Sequence, residues 1–226
     1  MKENIKAEVV EQLRKDISFG FYDSNELFEN IVDMFYDIEN FDKNWLKDEI
    51  ESRLAKHEDQ SQYWEKPTDF ERLKDAFDQL NEKGIVSLHK AGYTRQDAEN
   101  DCLEMIDELK AIGINAKGYC YYHTQDLERV LGEEKMLFLG YDSYNGEDEL
   151  AKQVAQEIVD ILKHNGFNVK WNGSLNSRIE VLDINWRKTI DGIDYNYDRI
   201  FKIMRNNPEI KDKNGKKDPK PFWKFW

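Results

Sequence analysis

A twelve-residue segment that returns 53 positions later is the feature that most restricts what this chain can fold into. IDELKAIGINAK (Ile106–Lys117) and VDILKHNGFNVK (Val159–Lys170) share six of their twelve residues. Each carries apolar residues at helical spacing into a glycine, then turns into a strand-like run. The flanks repeat the same order. Ile85–Leu88 reads as a strand, Thr94 caps a helix with Ala98, Cys102, Ile106 and Leu109 inward, and a second strand runs to about His123. Met136–Leu139 reads as a third strand, followed by a helix over Asp148–Asn165 with Leu150, Val154, Ile158 and Leu162 on one stripe, then a strand over Phe167–Trp171. Two strand–helix–strand halves joined by a short helix, Gln125–Leu131, predict an α+β fold with a ferredoxin-like sheet and helices on one face. In that arrangement a third strand lies between the first two, holding them about 10 Å apart. Asn172-Gly173 signals a turn, and Arg178–Leu182 is a candidate further strand.

Ahead of this sheet, residues 1–83 read as four amphipathic helices. Ile5, Val9, Leu13 and Ile17 mark the first; Leu27, Ile31 and Met34 or Phe35 mark the second, capped by Asp23 or Ser24; Leu46, Ile50 and Leu54 mark the third, capped near Asp42. Thr68 and Glu71 hold the capping-box spacing at the start of the fourth, which buries Phe70, Leu73, Phe77 and Leu80. After the sheet, Ile193, Tyr197, Phe201 and Met204 support a last helix. The expected organisation is an acidic helical region (1–83), a duplicated βαβ domain (84–190) and a helix with a basic-aromatic tail (191–226). In that tail Phe222, Trp223, Phe225 and Trp226 sit beside Lys216, Lys217, Lys220 and Lys224. Folding back onto a groove of the protein is the reading preferred over a docking peptide or interfacial anchor, since exposed aromatic clusters aggregate.

Charge excludes one class of partner. The net charge of −13 is concentrated ahead of the tail, and phosphate backbones demand clustered Lys and Arg, so nucleic acid is not expected. A basic protein partner is compatible. No apolar run is long enough to span a bilayer, and the N-terminus MKENIKAEVVEQL mixes charge with aliphatics unlike a signal peptide. The expected compartment is the cytoplasm, with Cys102 and Cys120 reduced and packed.

The stretch GYCYYHTQDLERVLG (Gly118–Gly132) is the candidate site. If the first two strands are parallel, their C-terminal ends share a rim that gathers His89, Tyr93, Tyr121 and His123, with Gln125, Asp126 and Glu128 on the bridging helix. His123, Asp126 and His89 are the candidate catalytic groups, able to exchange protons or orient a water; Tyr93, Tyr121, Gln125 and Glu128 are the candidate binding groups. The packing alternative outranks this, because strand-end tyrosines cover sheet edges and acidic residues favour a helix N-terminus. HExxH, CxxC, GxSxG and GxxxxGK[ST] are missing. The histidines at 57, 89, 123 and 164 lack ligand spacing, so neither metal nor cofactor is expected, and His57 and His164 read as solvated.

GIVSLHKAGYT (Gly84–Thr94), GYCYYHTQDLERVL (Gly118–Leu131), LFLGY (Leu137–Tyr141), WNG with RIEV and Trp186-Arg187 resemble a bacterial family catalogued only as a domain of unknown function. The resemblance spans about Gly84–Arg187, with GFYD (Gly20–Asp23) as a weaker echo; the chain has Asn172 where the family pattern has Asp. It implies a bacterial, intracellular protein and no mechanism. The leading expectation is a non-enzymatic acidic protein, immunity- or antitoxin-like, that covers a basic partner. The alternatives are a small-molecule hydrolase using His123, Asp126 and His89, and a regulator whose sheet edge pairs with a second copy. Monomer and homodimer both remain open.

Overall fold

The computed structural model describes residues 1–208, 210 and 211, which form two compact units. One comprises Met1–Glu71 with Asn185–Ile193; the other comprises Arg72–Ile184 with the described residues from Asp194 onward. Neither is a single run of sequence. The α+β class is as expected. The aromatic tail lies outside the described residues.

The first unit is built on α1 (Glu3–Phe19), α2 (Ser24–Met34) and α3 (Lys43–Ser61). Asp23 caps α2 by accepting from the amides of Asn25 and Glu26, while Glu26 bonds back to the Asp23 amide. Asp42 caps α3 through the Trp45 amide. Val9, Leu13, Ile17, Leu27, Ile31, Leu46 and Ile50 form one core, each side chain contributing roughly 1.5–3 kcal/mol on burial. The 185–193 segment adds a second cluster. Trp186 donates from Nε1 to the Phe19 carbonyl at 3.2 Å and packs on Phe21 and Phe70. The buried Lys188 ammonium lies 4.9 Å from each of the Phe21 and Phe70 rings and 3.2 Å from Asp191. Burial pulls its pKa down, and Asp191 partly restores it. Gly20 follows α1 at φ 77°, and a methyl group there would meet the Lys188 carbonyl oxygen at 2.6 Å. The GFYD motif and Trp186 thus belong to one packing cluster. His57 joins it rather than being solvated: half-buried, its ring nitrogen is 3.1 Å from the Lys188 carbonyl.

α4 (Asp69–Glu82) starts with the expected reciprocal cap, Glu71 N–H to Thr68 Oγ1 at 3.2 Å and Thr68 N–H to Glu71 Oε2 at 2.7 Å. Within the second unit follow β1 (Ile85–Leu88), α5 (Arg95–Ala111), β2 (Gly118–Tyr121), α6 (Thr124–Leu131), β3 (Leu137–Ser143), α7 (Asp148–His164), β4 (Asn168–Lys170), β5 (Ile179–Leu182) and α8 (Tyr197–Arg205). The sheet order is β1-β2-β3-β5-β4.

This order corrects the expected one. β1 and β2 pair directly and in parallel, with no strand between them. The second half is the split one: β3 and β4 both run antiparallel to β5, which lies between them. β2 and β3 are antiparallel, so the two strand–helix–strand connections advance the same way across the sheet from oppositely directed strands. Right-handed crossovers then place their helices on opposite faces, not on one. Val86, Leu88, Tyr119 and Tyr121 pack with Ala98, Cys102 and Met105 of α5 on one face. Gly118, of the other parity, lies under Val154 of α7. β1 and β2 are therefore buried on both sides, which is why neither alternates; β5 does alternate.

The repeated segments agree at the helix end and part afterwards. At each, the chain reverses through a glycine with φ near 80°: the Gly113 amide donates to the Lys110 carbonyl and the Ile114 amide to Leu109, matched by Gly166 to Lys163 and Phe167 to Leu162. β2 begins five residues beyond its glycine and β4 only two beyond.

The outer edge of β1 is closed by side chains. Ser87 Oγ donates to the Ile85 carbonyl, Asn81 Oδ1 accepts the Ser87 amide at 2.9 Å, and Asn196 bonds both the amide and the carbonyl of His89 at 2.8 Å. These carboxamides occupy groups that an unprotected edge would offer to another strand.

Candidate functional site

β2 continues in extended conformation through Tyr122 to His123, the residue before α6. Alternation returns His123 to the face of Tyr121, with ring centroids 6.5 Å apart, and sends Tyr122 to the opposite face. Tyr122 meets His89 there, the hydroxyl 2.9 Å from Nδ1, while the His89 ring stacks on Phe77 at 4.4 Å. The two imidazoles therefore end adjacent strands on opposite faces of the sheet. His89 is 2% exposed and is not brought to His123 and Asp126.

His123 and Asp126 do meet. Asp126, wholly buried in the first turn of α6, accepts the His123 amide at 3.1 Å. Its main partners are two guanidinium groups that were not among the expected site residues. Arg178 donates from Nη1 to Oδ1 at 2.9 Å and from Nη2 to Oδ2 at 2.6 Å, and Arg129 donates from Nη1 to Oδ1 at 3.0 Å. Arg178 Nη2 also reaches the Phe138 carbonyl at 2.8 Å. Both guanidinium carbons lie beside the Phe138 ring, 5.6 Å for Arg129 and 5.4 Å for Arg178.

His123 Nδ1 is 3.1 Å from Asp126 Oδ2. Burial pushes the imidazole pKa down; Asp126 raises it, and Arg178 and Arg129 lower it again. The ring is neutral at neutral pH. His57 is shifted down as well, again by burial. A folded imidazole with a lowered pKa holds its proton less tightly than the unfolded one, whose pKa is near 6.5. Stability from these sites is thus full above about pH 6.5 and is lost as pH falls through the window below it. His123→Asn should flatten the fall of melting temperature between about pH 6.5 and 5. An unchanged slope would remove His123 from the acid response.

The remaining residues form an outer layer. The Tyr121 ring crosses Gly140 of β3 and its hydroxyl donates to Glu99 at 3.2 Å, while Arg95 pairs with the same carboxylate at 2.7 Å. Burial and Glu99 raise the Tyr121 pKa. Tyr93 is exposed, in a loop tied to α6 by Thr124 Oγ1 donating to the Gly92 carbonyl at 2.9 Å. Gln125 and Glu128 are half-buried on α6. The one signal that pointed to Arg178 was chemical: an aspartate at the third position of a buried helix start needs a cation, and Arg178 directly precedes β5. Both cysteines are free and buried, their thiol pKa values raised by burial. Among the described residues, no cluster of His, Cys, Asp or Glu could hold a metal, and no helix is long and apolar enough to cross a membrane.

Residues 2–190 match the model of a family described as "Domain of unknown function (DUF6891)". The match takes in the first unit's helices as well as the sheet, more than the motifs alone covered. No curated protein and no solved structure matches the chain.

Proposed function

The chain belongs to the DUF6891 family, whose description assigns no activity, and from that premise we propose that it is a non-enzymatic protein, immunity- or antitoxin-like, that binds a basic protein partner. The observation that carries this is the outward side of α5. Asp97, Asp101, Glu104 and Glu108 recur there at helical spacing, with Asp107 beside them. Exposed Tyr93, Leu103 and Tyr197 accompany them. The Tyr197 hydroxyl donates to Glu108 at 2.7 Å, and burial, Glu108, Glu104 and Asp101 together raise its pKa. An acidic strip with exposed phenols suits a cationic surface, where charge sets encounter rate and tyrosines supply contact area. Hydrolysis by His123, Asp126 and His89 is less well supported: His123 is 4% exposed, Asp126 is committed to two arginines, and His89 faces the other way.

The test is capture at low ionic strength, with elution by rising salt and identification by mass spectrometry. The wild-type chain is expected to retain a basic protein, and the triple variant Asp101→Lys, Glu104→Lys, Asp107→Lys to lose at least ~90% of it. A control triple on α7, Asp148→Lys, Glu149→Lys, Asp160→Lys, should keep it. Failure to retain any salt-releasable protein, or equal loss in both triples, would sink the reading.

A further inference from the structure

We propose that Arg129 and Arg178 form a binding site for a small oxyanion, a phosphate or carboxylate group, beside the Phe138 ring. This goes beyond the protein-binding reading and does not depend on it.

Charge favours an anion here. Two guanidinium groups converge on one wholly buried carboxylate, Asp126, and His123 contributes no negative charge. Glu180, which lies opposite Phe138 in the β3–β5 register, pairs with Lys170 at 3.4 Å, and Glu99 pairs with Arg95 at 2.7 Å. Among these three groups, Arg129, Arg178 and Asp126, positive charge exceeds negative by one, on side chains 47% and 25% exposed. Uncompensated charge in such a place is costly, and an anion relieves it.

Hydrogen bonding points the same way. Arg178 spends Nη1 and Nη2 on Asp126 and the Phe138 carbonyl, yet its Nε is buried with no partner among the described residues. His123 Nδ1, on a ring whose side chain is 5% exposed, is turned to Asp126 Oδ2 at 3.1 Å and backs the pair from the interior. A buried guanidinium nitrogen without a partner is rare in native proteins and demands an explanation. Arg129 supplies access: one nitrogen holds Asp126, and the side chain is 47% exposed. Its planar fork suits a two-oxygen ligand, and the sheet face bearing Phe138 flanks it.

The experiment titrates the full chain with sodium phosphate, sodium acetate and sodium chloride at matched ionic strength, read by calorimetry and thermal melting. Phosphate, acetate or both should bind with Kd at or below about 1 mM and raise the melting temperature beyond chloride. Binding of phosphate alone assigns a phosphate ligand, and of acetate alone a carboxylate. Arg129→Gln should weaken the bound anion at least tenfold, while Arg205→Gln on α8 should leave it unchanged. Arg178→Gln is a poor primary variant, since Arg178 also holds Asp126. No response beyond chloride, or full affinity in Arg129→Gln, overturns the proposal.

Discussion

Asp126→Asn is expected to lower the unfolding free energy by about 3–5 kcal/mol, the range found when one member of a buried ion pair is removed. The substitution keeps shape and volume, so the effect isolates charge. Three charge-assisted bonds, from Arg178 Nη1, Arg178 Nη2 and Arg129 Nη1, lose their anion together. Arg178 carries most of the loss because its side chain is 25% exposed, whereas Arg129 at 47% recovers hydration and deserves a smaller share. Urea unfolding followed by circular dichroism checks the figure. The informative companion is Asp126→Leu with Arg178→Met. Replacing both partners by apolar groups of similar size removes the stranded charge, so the double variant should cost less than Asp126→Asn alone. If Asp126→Asn costs under about 1 kcal/mol, the arginines find other partners and the cluster is not what fixes α6.

Local structure was legible in the sequence wherever one residue type has one reason to be there. Asp23, Asp42, Thr68 and Thr94 each cap the helix expected of them, and Gly113 and Gly166 each reverse a helix end. β1 matches its expected bounds of Ile85–Leu88. Sheet order was not legible, because adjacent and split strand–helix–strand units share the same local pattern. What separates them is which strand fills the gap, and β5 fills the second gap only. The face of each helix follows from strand direction, which needs the antiparallel β2–β3 pairing to be known. The candidate site was half visible. His123, Asp126 and Tyr121 do gather at the end of β2, since they are close in sequence. His89 was misplaced by a single step of strand alternation, and Arg178 lies 52 residues from its partner. Long-range charge pairing of that kind leaves little local trace.

Gly140 shows how the sheet makes room for the site, and Gly140→Ala is expected to cost about 3 kcal/mol, the upper end for overpacking. Gly140 sits opposite Tyr121 in the β2–β3 ladder. A methyl group there would stand 2.2 Å from Tyr121 Cζ and 2.5 Å from its hydroxyl oxygen. Flexible side chains can swing aside from such a clash, but this ring cannot do so cheaply. Tyr119 stacks near it at 6.2 Å, His123 lies at 6.5 Å, and Glu99 holds its hydroxyl at 3.2 Å. Either the ring leaves, breaking the Glu99 bond, or β2 and β3 separate locally. A double-mutant cycle distinguishes a ring clash from a backbone preference for glycine. On a Tyr121→Leu background the far end of the side chain is gone, so adding Gly140→Ala should cost less than about 1 kcal/mol. Equal costs in both backgrounds would mean that the strand itself needs glycine at position 140, and that Tyr121 lies over it without depending on it.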